Sequence, residues 1–412
     1  MEKYDNYKDS GIEWIGEIPE HWSLKRLKYL VSLNDETLSE KTDEETVIEY
    51  IEIGDLKNGG VSSTEYYFVN APSRARRIVR SGDVIVSTVR TYLKAIAQIS
   101  EDKDGFIAST GFAVLRPQAI DSRFLGYYSH SPFFIDSTIA NSVGVTYPAI
   151  NAPNILDFPI QIPTPEEQTA IANYLDRKTT EIDELIADKK RLLELYEEEK
   201  TAIINQAVTK GINSNVPMKD SGIEWLDEIP EHWEVKNLRY LCKITTGGKD
   251  TENREDDGEF PFFVRSQTVE KISTYSYDGE AILTAGDGVG VCKVWHHIIG
   301  KFDFHQRVYM MYDFDGILGS YLFHYMKENF IHDVLKKSAK STVDSLRRPM
   351  FLEFAVAFPK SEDEQKEIVQ YIENEITRID SKTEITKKLI DLLTEYRTAL
   401  ISEVVTGKIK VI

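Results

Sequence analysis

Two stretches of this chain carry apolar residues at a seven-residue spacing, which places them on one face of a supercoiled helix. The main positions are Leu175, Ile182, Tyr196 and Ile203 in the first stretch and Ile372, Ile379, Leu393 and Leu400 in the second. A second apolar position holds Leu185, Leu192, Leu389 and Tyr396. Pro and Gly are absent from residues 169–209 and 366–406, so each stretch predicts one helix on the order of 55 Å long. Each helix either covers its own domain or packs against the other, and two equal copies favour an antiparallel pair.

The sequence before each helix is also repeated. Residues 8–30, KDSGIEWIGEIPEHWSLKRLKYL, match residues 219–241, KDSGIEWLDEIPEHWEVKNLRYL, at 17 of 23 positions. The helix that begins near Glu166 aligns without a gap on the helix that begins near Asp363. A duplicated frame around two different inserts predicts two equivalent docking sites for one partner and two different targets.

The inserts, about residues 31–160 and 242–358, contain short β-rich runs separated by Gly, Asp and Asn. These runs include residues 84–87, 112–115, 281–284 and 308–311, and SGDVIVST at 81–88 aligns with DGEAILTA at 278–285. The predicted fold class is α+β, with two mixed β-rich domains separated by two long antiparallel coiled-coil helices in a pseudo-twofold repeat. The predicted segments are a first recognition domain at 1–163, a spacer helix at 164–210, a linker at 211–218, a second recognition domain at 219–360, and a second spacer helix with the tail at 361–412.

Composition narrows the class of protein. The 412 residues are 41% hydrophobic, enough for several cores. The acidic start MEKYDNYKDSG predicts no signal peptide, and no apolar run is long enough for a membrane span. Cys242 and Cys292 exclude a disulfide framework and suit a reducing cytoplasm. A net charge of -19 argues against nonspecific coating of nucleic acid, but local basic groups still permit DNA recognition.

Several patterns suggest enzymes only weakly. The loop Gly286-Asp287-Gly288-Val289-Gly290 follows a β-like run, but the residues after it do not start the helix that phosphate binding needs, so a tight turn is expected. The histidines at 296, 297, 305 and 324 match no zinc spacing. P-loop and nucleophile-elbow motifs are absent, and Glu197, Glu198 and Glu199 fit a solvated helix face.

Basic residues beside hydroxyl-rich turns recur in both inserts and are suited to contacts with phosphates and base edges. The predicted DNA-binding residues are Arg74, Arg76, Arg77, Ser87, Thr88, Arg90, Tyr92, Lys94, Thr146, Tyr147, Lys249, Arg265, Lys293, Lys340, Ser341, Thr342, Arg347 and Arg348. The alternative is that the arginines pair with nearby acids such as Asp83 or Asp344.

The order of these motifs resembles the specificity subunit of type I restriction-modification systems, over essentially the whole chain. The resemblance rests on SGIEWIGEIPEHW, FPIQIPTPEEQTAIANYLD, the repeated SGIEWLDEIPEHW and FPKSEDEQKEIVQYIE, and inner patterns such as GDVIVSTVRTYLK and GKFDFHQRVY. The second junction, FAVAFPKSEDEQ, lacks the double proline of FPIQIPTPEEQ, which leaves the chain path into the second helix open.

The resemblance implies that each insert reads one half of a split double-stranded DNA target and that the helices form a spacer. It implies two methyltransferase subunits that carry S-adenosylmethionine, and two restriction subunits that use ATP and Mg²⁺. It places no catalytic residue, cofactor or metal on this chain. Helices of roughly 50 Å would separate the half-sites by about one and a half duplex turns, and the different inserts predict an asymmetric target. A self-contained methyltransferase or nuclease and a coiled-coil adaptor that binds only proteins are the alternatives.

Overall fold

The computed structural model describes residues 2–12, 15–57, 60–337 and 345–411. The chain forms two compact units, Met1–Lys189 with Lys388–Ile412, and Lys190–Lys387. Each unit contains strands and helices, which confirms the predicted mixed α and β content. The divisions between the units fall inside the two long helices, and the five predicted segments stay a prediction.

The first unit combines short strands with three short helices and parts of two long ones. Its strands are β1 (Tyr7–Asp9), β2 (Glu17–Pro19), β3 (Ser23–Arg26), β4 (Val31–Leu33), β5 (Val47–Ile51), β6 (Leu56–Lys57), β7 (Gly60–Val61), β8 (Thr64–Tyr67), β9 (Ala75–Ile78), β10 (Val84–Ser87), β11 (Ile96–Gln98), β12 (Ile107–Ser109), β13 (Phe112–Pro117) and β14 (Pro159–Ile162). Its helices are α1 (Ser122–Ser129), α2 (Pro132–Ala140), α3 (Ala152–Ile155) and α4 (Pro165–Lys210), which continues into the second unit after Lys189.

The second unit has longer strands. They are β15 (Met218–Ile223), β16 (Leu226–Pro230), β17 (Trp233–Asn237), β18 (Lys243–Thr246), β19 (Phe260–Phe263), β20 (Glu270–Ile272), β21 (Tyr277–Ala285), β22 (Trp295–Phe304), β23 (Val308–Tyr312) and β24 (Ala355–Pro359). Its helices are α5 (Gly319–Lys337), α6 (Arg348–Leu352) and α7 (Glu362–Val405). The part of α7 after Lys387 belongs to the first unit.

The sheet of the first unit that carries the candidate site has the strand order β11-β10-β13-β4. Successive side chains of a strand point to opposite faces. Accordingly, Val84 and Val86 of β10 pack in the core that contains Phe124 of α1, whereas Ile85 packs in a second core with Phe112. Both faces of β10 are covered, which explains its continuous apolar run.

The sheet of the second unit repeats this arrangement, with the strand order β18-β23-β21-β22-β19-β20. β21 lies between the antiparallel neighbours β22 and β23, as β10 lies between β11 and β13. Ile282 packs with Phe330 of α5, and Leu283 packs on the other face with Phe302. The segments aligned by sequence at 81–88 and 278–285 therefore reach corresponding places in the two sheets.

The histidines of the repeated frame motifs make the same contact in each unit. His21 lies 3.0 Å from Glu167 of α4, and His232 lies 2.9 Å from Glu364 of α7. Trp22 and Trp233 are fully buried beside these pairs. The junction strands β14 and β24 pair with β3 and β17, so the missing double proline does not change the chain path into the second helix.

A repeated glutamine fixes the first turn of each long helix. Gln168 accepts a hydrogen bond from the Asp121 N–H (2.8 Å) and donates one to the Pro163 carbonyl oxygen (3.1 Å). Gln365 accepts from the Leu318 N–H (2.7 Å) and donates to the Pro359 carbonyl oxygen (2.9 Å). The motifs ending in EEQ and DEQ thus join each helix to its own insert.

The long helices α4 and α7 have 46 and 44 residues. Of the two apolar positions predicted from the heptad pattern, the first is buried at Ile182, Ile379 and Leu400. The second position is exposed to solvent, with Leu389 40% and Tyr396 45% exposed. Among the described residues, no helix is long and apolar enough to cross a membrane.

Candidate nucleic-acid interface

The first candidate surface lies where β10 ends. The Thr88 hydroxyl donates to the Gly111 carbonyl oxygen (2.8 Å), and the Thr88 carbonyl oxygen accepts from the Ile150 N–H (2.9 Å). The Ser87 hydroxyl donates to the Val89 carbonyl oxygen (2.7 Å). Both side chains are buried. Their hydroxyls hold the loop in place, and their contact with DNA stays a prediction.

Two loops, residues 88–94 and 142–149, form this surface, which we call the Arg90 surface. Val143 and Ala149 exchange two backbone hydrogen bonds, of 2.8 and 3.0 Å, and so close the second loop at its base. The hydroxyls of Thr91 and Ser142 lie 2.8 Å apart and join the two loops. The surface is therefore fixed by internal hydrogen bonds.

The exposed side chains of the Arg90 surface are cationic and aromatic. The Arg90 guanidinium carbon lies 4.8 Å from the Tyr147 ring centre, a cation–π distance. Tyr147 is 62% and Tyr92 is 50% exposed, and Lys94 is also exposed. Within the described part of the chain no carboxylate pairs with Arg90. Asp83 instead pairs with Arg116 at 2.9 Å, so the predicted alternative of an Arg90 ion pair with Asp83 does not occur.

The Arg90 surface is also free of acidic residues over a long stretch of sequence. Residues 84–100 and 137–156 contain no Asp or Glu, although the chain has 68 acidic residues in 412. The contacts between the two loops bring these acid-free stretches together. In a chain with a net charge of -19, these two loops therefore carry Arg90 and Lys94 and no acidic residue.

Three predicted arginines lie on or beside β9, next to this surface. The Arg74 carbonyl oxygen accepts from the N–H of Thr110, the residue before Gly111, and its side chain is exposed. Arg76 donates to the Ala75 carbonyl oxygen (2.8 Å) and lies 5.3 Å from the Phe68 ring centre. The Nε atom of Arg77 is buried without a hydrogen-bond partner in the structure. The side chain of Arg74 is therefore the most accessible of the three.

The corresponding surface of the second unit lies where β21 ends, and we call it the Arg265 surface. Asp287 binds Arg265 at 3.0 Å and Arg307 at 2.5 Å. Partial burial acts to raise the pKa of Asp287, but the hydrogen bonds from Arg307 and Arg265 outweigh it and hold the pKa below its usual value. Asp287 therefore stays ionised and holds two arginines side by side, each still partly exposed.

The backbone around this surface repeats the pattern of the first unit. The Leu346 N–H donates to the Gly286 carbonyl oxygen (2.7 Å), as the Ile150 N–H does to Thr88, and Ser345 pairs with Asp287. The exposed residues Arg347 and Arg348 follow at the start of α6. The predicted residues Lys340, Ser341 and Thr342, and the predicted pairing partner Asp344, lie outside the described residues.

The family model of the type I restriction modification DNA specificity domain matches residues 19–195 and 230–395. These two ranges make up most of the chain and include both candidate surfaces. The chain belongs to this family.

Several curated specificity subunits are similar in sequence to parts of this chain. The Escherichia coli type I restriction enzyme EcoDI specificity subunit is 24% identical over 182 residues, 44% of this chain and 40% of that protein. The MjaIX specificity subunit of Methanocaldococcus jannaschii is 24% identical over 283 residues, 64% of this chain and 62% of that protein. The matches thus span less than two thirds of these relatives.

Two solved structures share the fold of this specificity-domain chain. One, described as the structural basis of complex assembly and conformational transition of the type I R-M system, has a TM-score of 0.75 at 20% identity and covers 95% of this chain and 99% of that chain. The HsdS subunit from Thermoanaerobacter tengcongensis has a TM-score of 0.58 at 20% identity and covers 95% and 98%. At this identity the likeness concerns the fold.

Several residues of the specificity-domain surfaces were not predicted from the sequence. Val143 and Val145 are 81% and 101% exposed on the Arg90 surface, and Val289 is 91% exposed on the Arg265 surface. Arg307, which shares Asp287 with Arg265, was also missed. The absence of Asp and Glu from residues 137–156 could have identified the segment with the two valines from the sequence. The Arg307 contact depends on strand pairing that the sequence does not reveal.

The remaining predicted residues lie near the Arg265 surface without a side-chain partner in the described part of the chain. The Lys249 carbonyl oxygen accepts from the Gln306 N–H (2.8 Å), next to Arg307, and the exposed Lys293 follows the loop at 288–290. That loop leads into β22 rather than a long helix, as the sequence indicated. No group of His, Cys, Asp and Glu within the described ranges could hold a metal ion.

Proposed function

We propose that this chain is the sequence-specific DNA-recognition subunit of a type I restriction-modification complex. It reads a bipartite, asymmetric target and directs methyltransferase and restriction subunits to it. The observation that carries the proposal is the Arg90 surface, where, among the described residues, an arginine without an ion pair lies beside exposed tyrosines on two loops that contain no acidic residue. Positively charged and hydroxyl-bearing aromatic side chains suit the phosphates and base edges of a duplex.

Different residues at the two surfaces support an asymmetric target. The Arg90 surface offers one arginine on a tyrosine ring, whereas the Arg265 surface offers a pair of arginines oriented by Asp287. An arginine fork favours guanine, and its neighbours decide which further base edges are accepted. Two readers with different donors therefore specify two different half-sites.

We propose that α4 and α7 form an antiparallel coiled-coil spacer, and that the chain is a pseudo-twofold repeat. Contacts within each unit support this arrangement. In the first unit Asp183 of α4 binds Arg397 of α7 at 2.9 Å. In the second unit Glu199 binds Arg378 at 2.7 Å, and the Lys382 ammonium lies 5.8 Å from the Tyr196 ring centre. A helical spacer fixes the unread gap between the half-sites.

The duplicated frame supports two docking sites for methyltransferase subunits. The pairs His21–Glu167 and His232–Glu364 show that the repeated motifs build the same local structure in each unit. Exposed apolar residues of the long helices in the first unit, Leu185, Leu389, Leu392 and Tyr396, offer a surface for a partner helix. On this proposal the partners bind S-adenosylmethionine, ATP and Mg²⁺ and carry out catalysis, and this chain supplies recognition.

Selection from a library of randomised duplexes tests the proposal. The complex of this chain with its methyltransferase subunits should enrich two different short sequences at one constant spacing. The subunits without this chain should enrich nothing. Methylation or cleavage by the purified chain alone would support the self-contained enzyme, and an assembled complex without sequence selection would support the protein-binding adaptor.

A further inference from the structure

The segment 143–149, which we call the tip of the Arg90 surface, exposes aliphatic side chains that no contact within the described residues explains. Val145 is 101% exposed and Val143 is 81% exposed, with Tyr147 beside them at 62%. Valine has no hydrogen-bonding group, so its full exposure offers only apolar contact. Such residues at the centre of a polar, cationic surface mark a place where an apolar group of a partner is covered.

The shape of the tip is fixed. The paired hydrogen bonds between Val143 and Ala149 form one β-bridge that holds its two sides together. Gly144 adopts φ +113°, a conformation that side chains with Cβ rarely adopt, and a Cβ at this position would lie 3.3 Å from the Tyr147 carbonyl oxygen. The valines are therefore presented by a turn whose backbone is set by its glycine.

The dimensions and charge of the tip match one kind of surface. At its β-bridge the tip is two chain segments wide, as is the two-stranded ribbon that the major groove of B-DNA, about 12 Å wide, admits. Arg90 lies beside the tip on the Tyr147 ring, and no acid occurs in residues 137–156 that would repel phosphates. The main apolar group displayed in the major groove is the methyl group of thymine.

We propose that Val143 and Val145 contact thymine methyl groups in the major groove, so that these valines select thymine at one or more positions of the half-site read by the first unit. This inference rests on the proposed function and adds the base class that the tip recognises. Arg90 supplies hydrogen bonds to a neighbouring base, while the valines select by apolar contact alone.

Single replacements of thymine by deoxyuridine test the inference, because they remove one methyl group and leave base pairing unchanged. The assembled wild-type complex should bind about threefold to tenfold more weakly when the contacted thymine is replaced. The Val145→Ala complex should bind the unmodified duplex more weakly by a similar factor and should no longer distinguish thymine from uracil at that position. Val69→Ala is the matched control, because Val69 is 57% exposed in the same unit but lies outside the Arg90 surface.

Two results would overturn the inference. One is wild-type binding that ignores every uracil replacement. The other is a Val145→Ala chain that loses its methyltransferase subunits, which would make the tip a protein contact. The first half-site is identified as the one that Arg90→Ala disturbs. Failure of the proposed function would look different, because the wild-type complex would then show no sequence selection at all.

Discussion

The Arg90 guanidinium carbon lies 4.8 Å from the Tyr147 ring centre. This is a cation–π distance, and in the described part of the chain the guanidinium N–H groups have no hydrogen-bond acceptor, so they remain available to a base or a phosphate. No carboxylate in this part of the chain pairs with Arg90, so DNA would have none to displace. This arrangement makes Arg90 the strongest candidate for base readout in the first unit.

Two replacements of Arg90 should distinguish the effect of its charge on binding from its selection of a base. Arg90→Ala should cost about 1 to 3 kcal/mol of binding free energy and relax selection at one base of one half-site. Arg90→Lys should keep the salt dependence of binding but lose the selection, because lysine lacks the planar fork. Binding to a panel of single-base variants measures both effects. Equal relaxation across both half-sites would contradict separate readers.

Replacement of Asp287 should strengthen DNA binding by the second unit, whereas replacement of Arg90 should weaken binding by the first. Asp287→Asn removes the charge that holds Arg265 and Arg307. We expect tighter binding to nonspecific DNA with a steeper salt dependence, because the surface gains about one positive charge, and weaker selection in the second half-site. Titrations at several salt concentrations measure the slope. An unchanged slope together with unchanged selection would show that these arginines lie away from DNA.

A change in helix length should alter the gap and leave the half-sites unchanged. Seven residues inserted after Lys189 and seven after Thr386 add nearly two turns, about 10 Å, to each helix and approximately preserve its apolar face. The methylated motif should then contain a gap longer by about three base pairs. Sequencing of methylated DNA reads the gap directly. The original gap in an active variant would exclude the spacer role.

Acid should destabilise the chain through buried histidines. Burial lowers the pKa of His324 to about 4, with further repulsion from Lys327 and His297. Between about pH 6.5 and pH 4 the unfolded chain binds a proton that the folded chain does not, so the free energy of unfolding falls as the pH falls. Urea unfolding from pH 7 to pH 5 should show a smaller fall for His324→Gln than for the wild-type chain. Burial also lowers the pKa of His296 and His305, so part of the dependence should persist.

The strands and long helices could be predicted because their signals are local. The run at 84–87 became β10 and the run at 308–311 became part of β23, since buried strands need continuous apolar residues. Helix limits of 165–210 and 362–405 lie within a few residues of the Pro- and Gly-free stretches. The heptad pattern alone does not show what covers a residue, so the exposure of Leu389 and Tyr396 could not be predicted from it.

The candidate surfaces were predicted only in part. The loop after β10 was found from its basic and hydroxyl residues, but the contact between Arg90 and Tyr147 joins positions 57 residues apart. The burial of side chains could not be predicted from the sequence either, since the hydroxyls of Ser87 and Thr88 form hydrogen bonds inside the protein. Readout of DNA by each predicted residue stays a prediction.

Methylation sequencing of a host with the intact gene, without it, and with Arg90→Ala tests the central claim most directly. We expect one bipartite, asymmetric methylated motif with the intact gene and none without it. With Arg90→Ala we expect a motif relaxed at one position of one half-site. A motif that persists without the gene, or a continuous motif without a gap, would contradict the account.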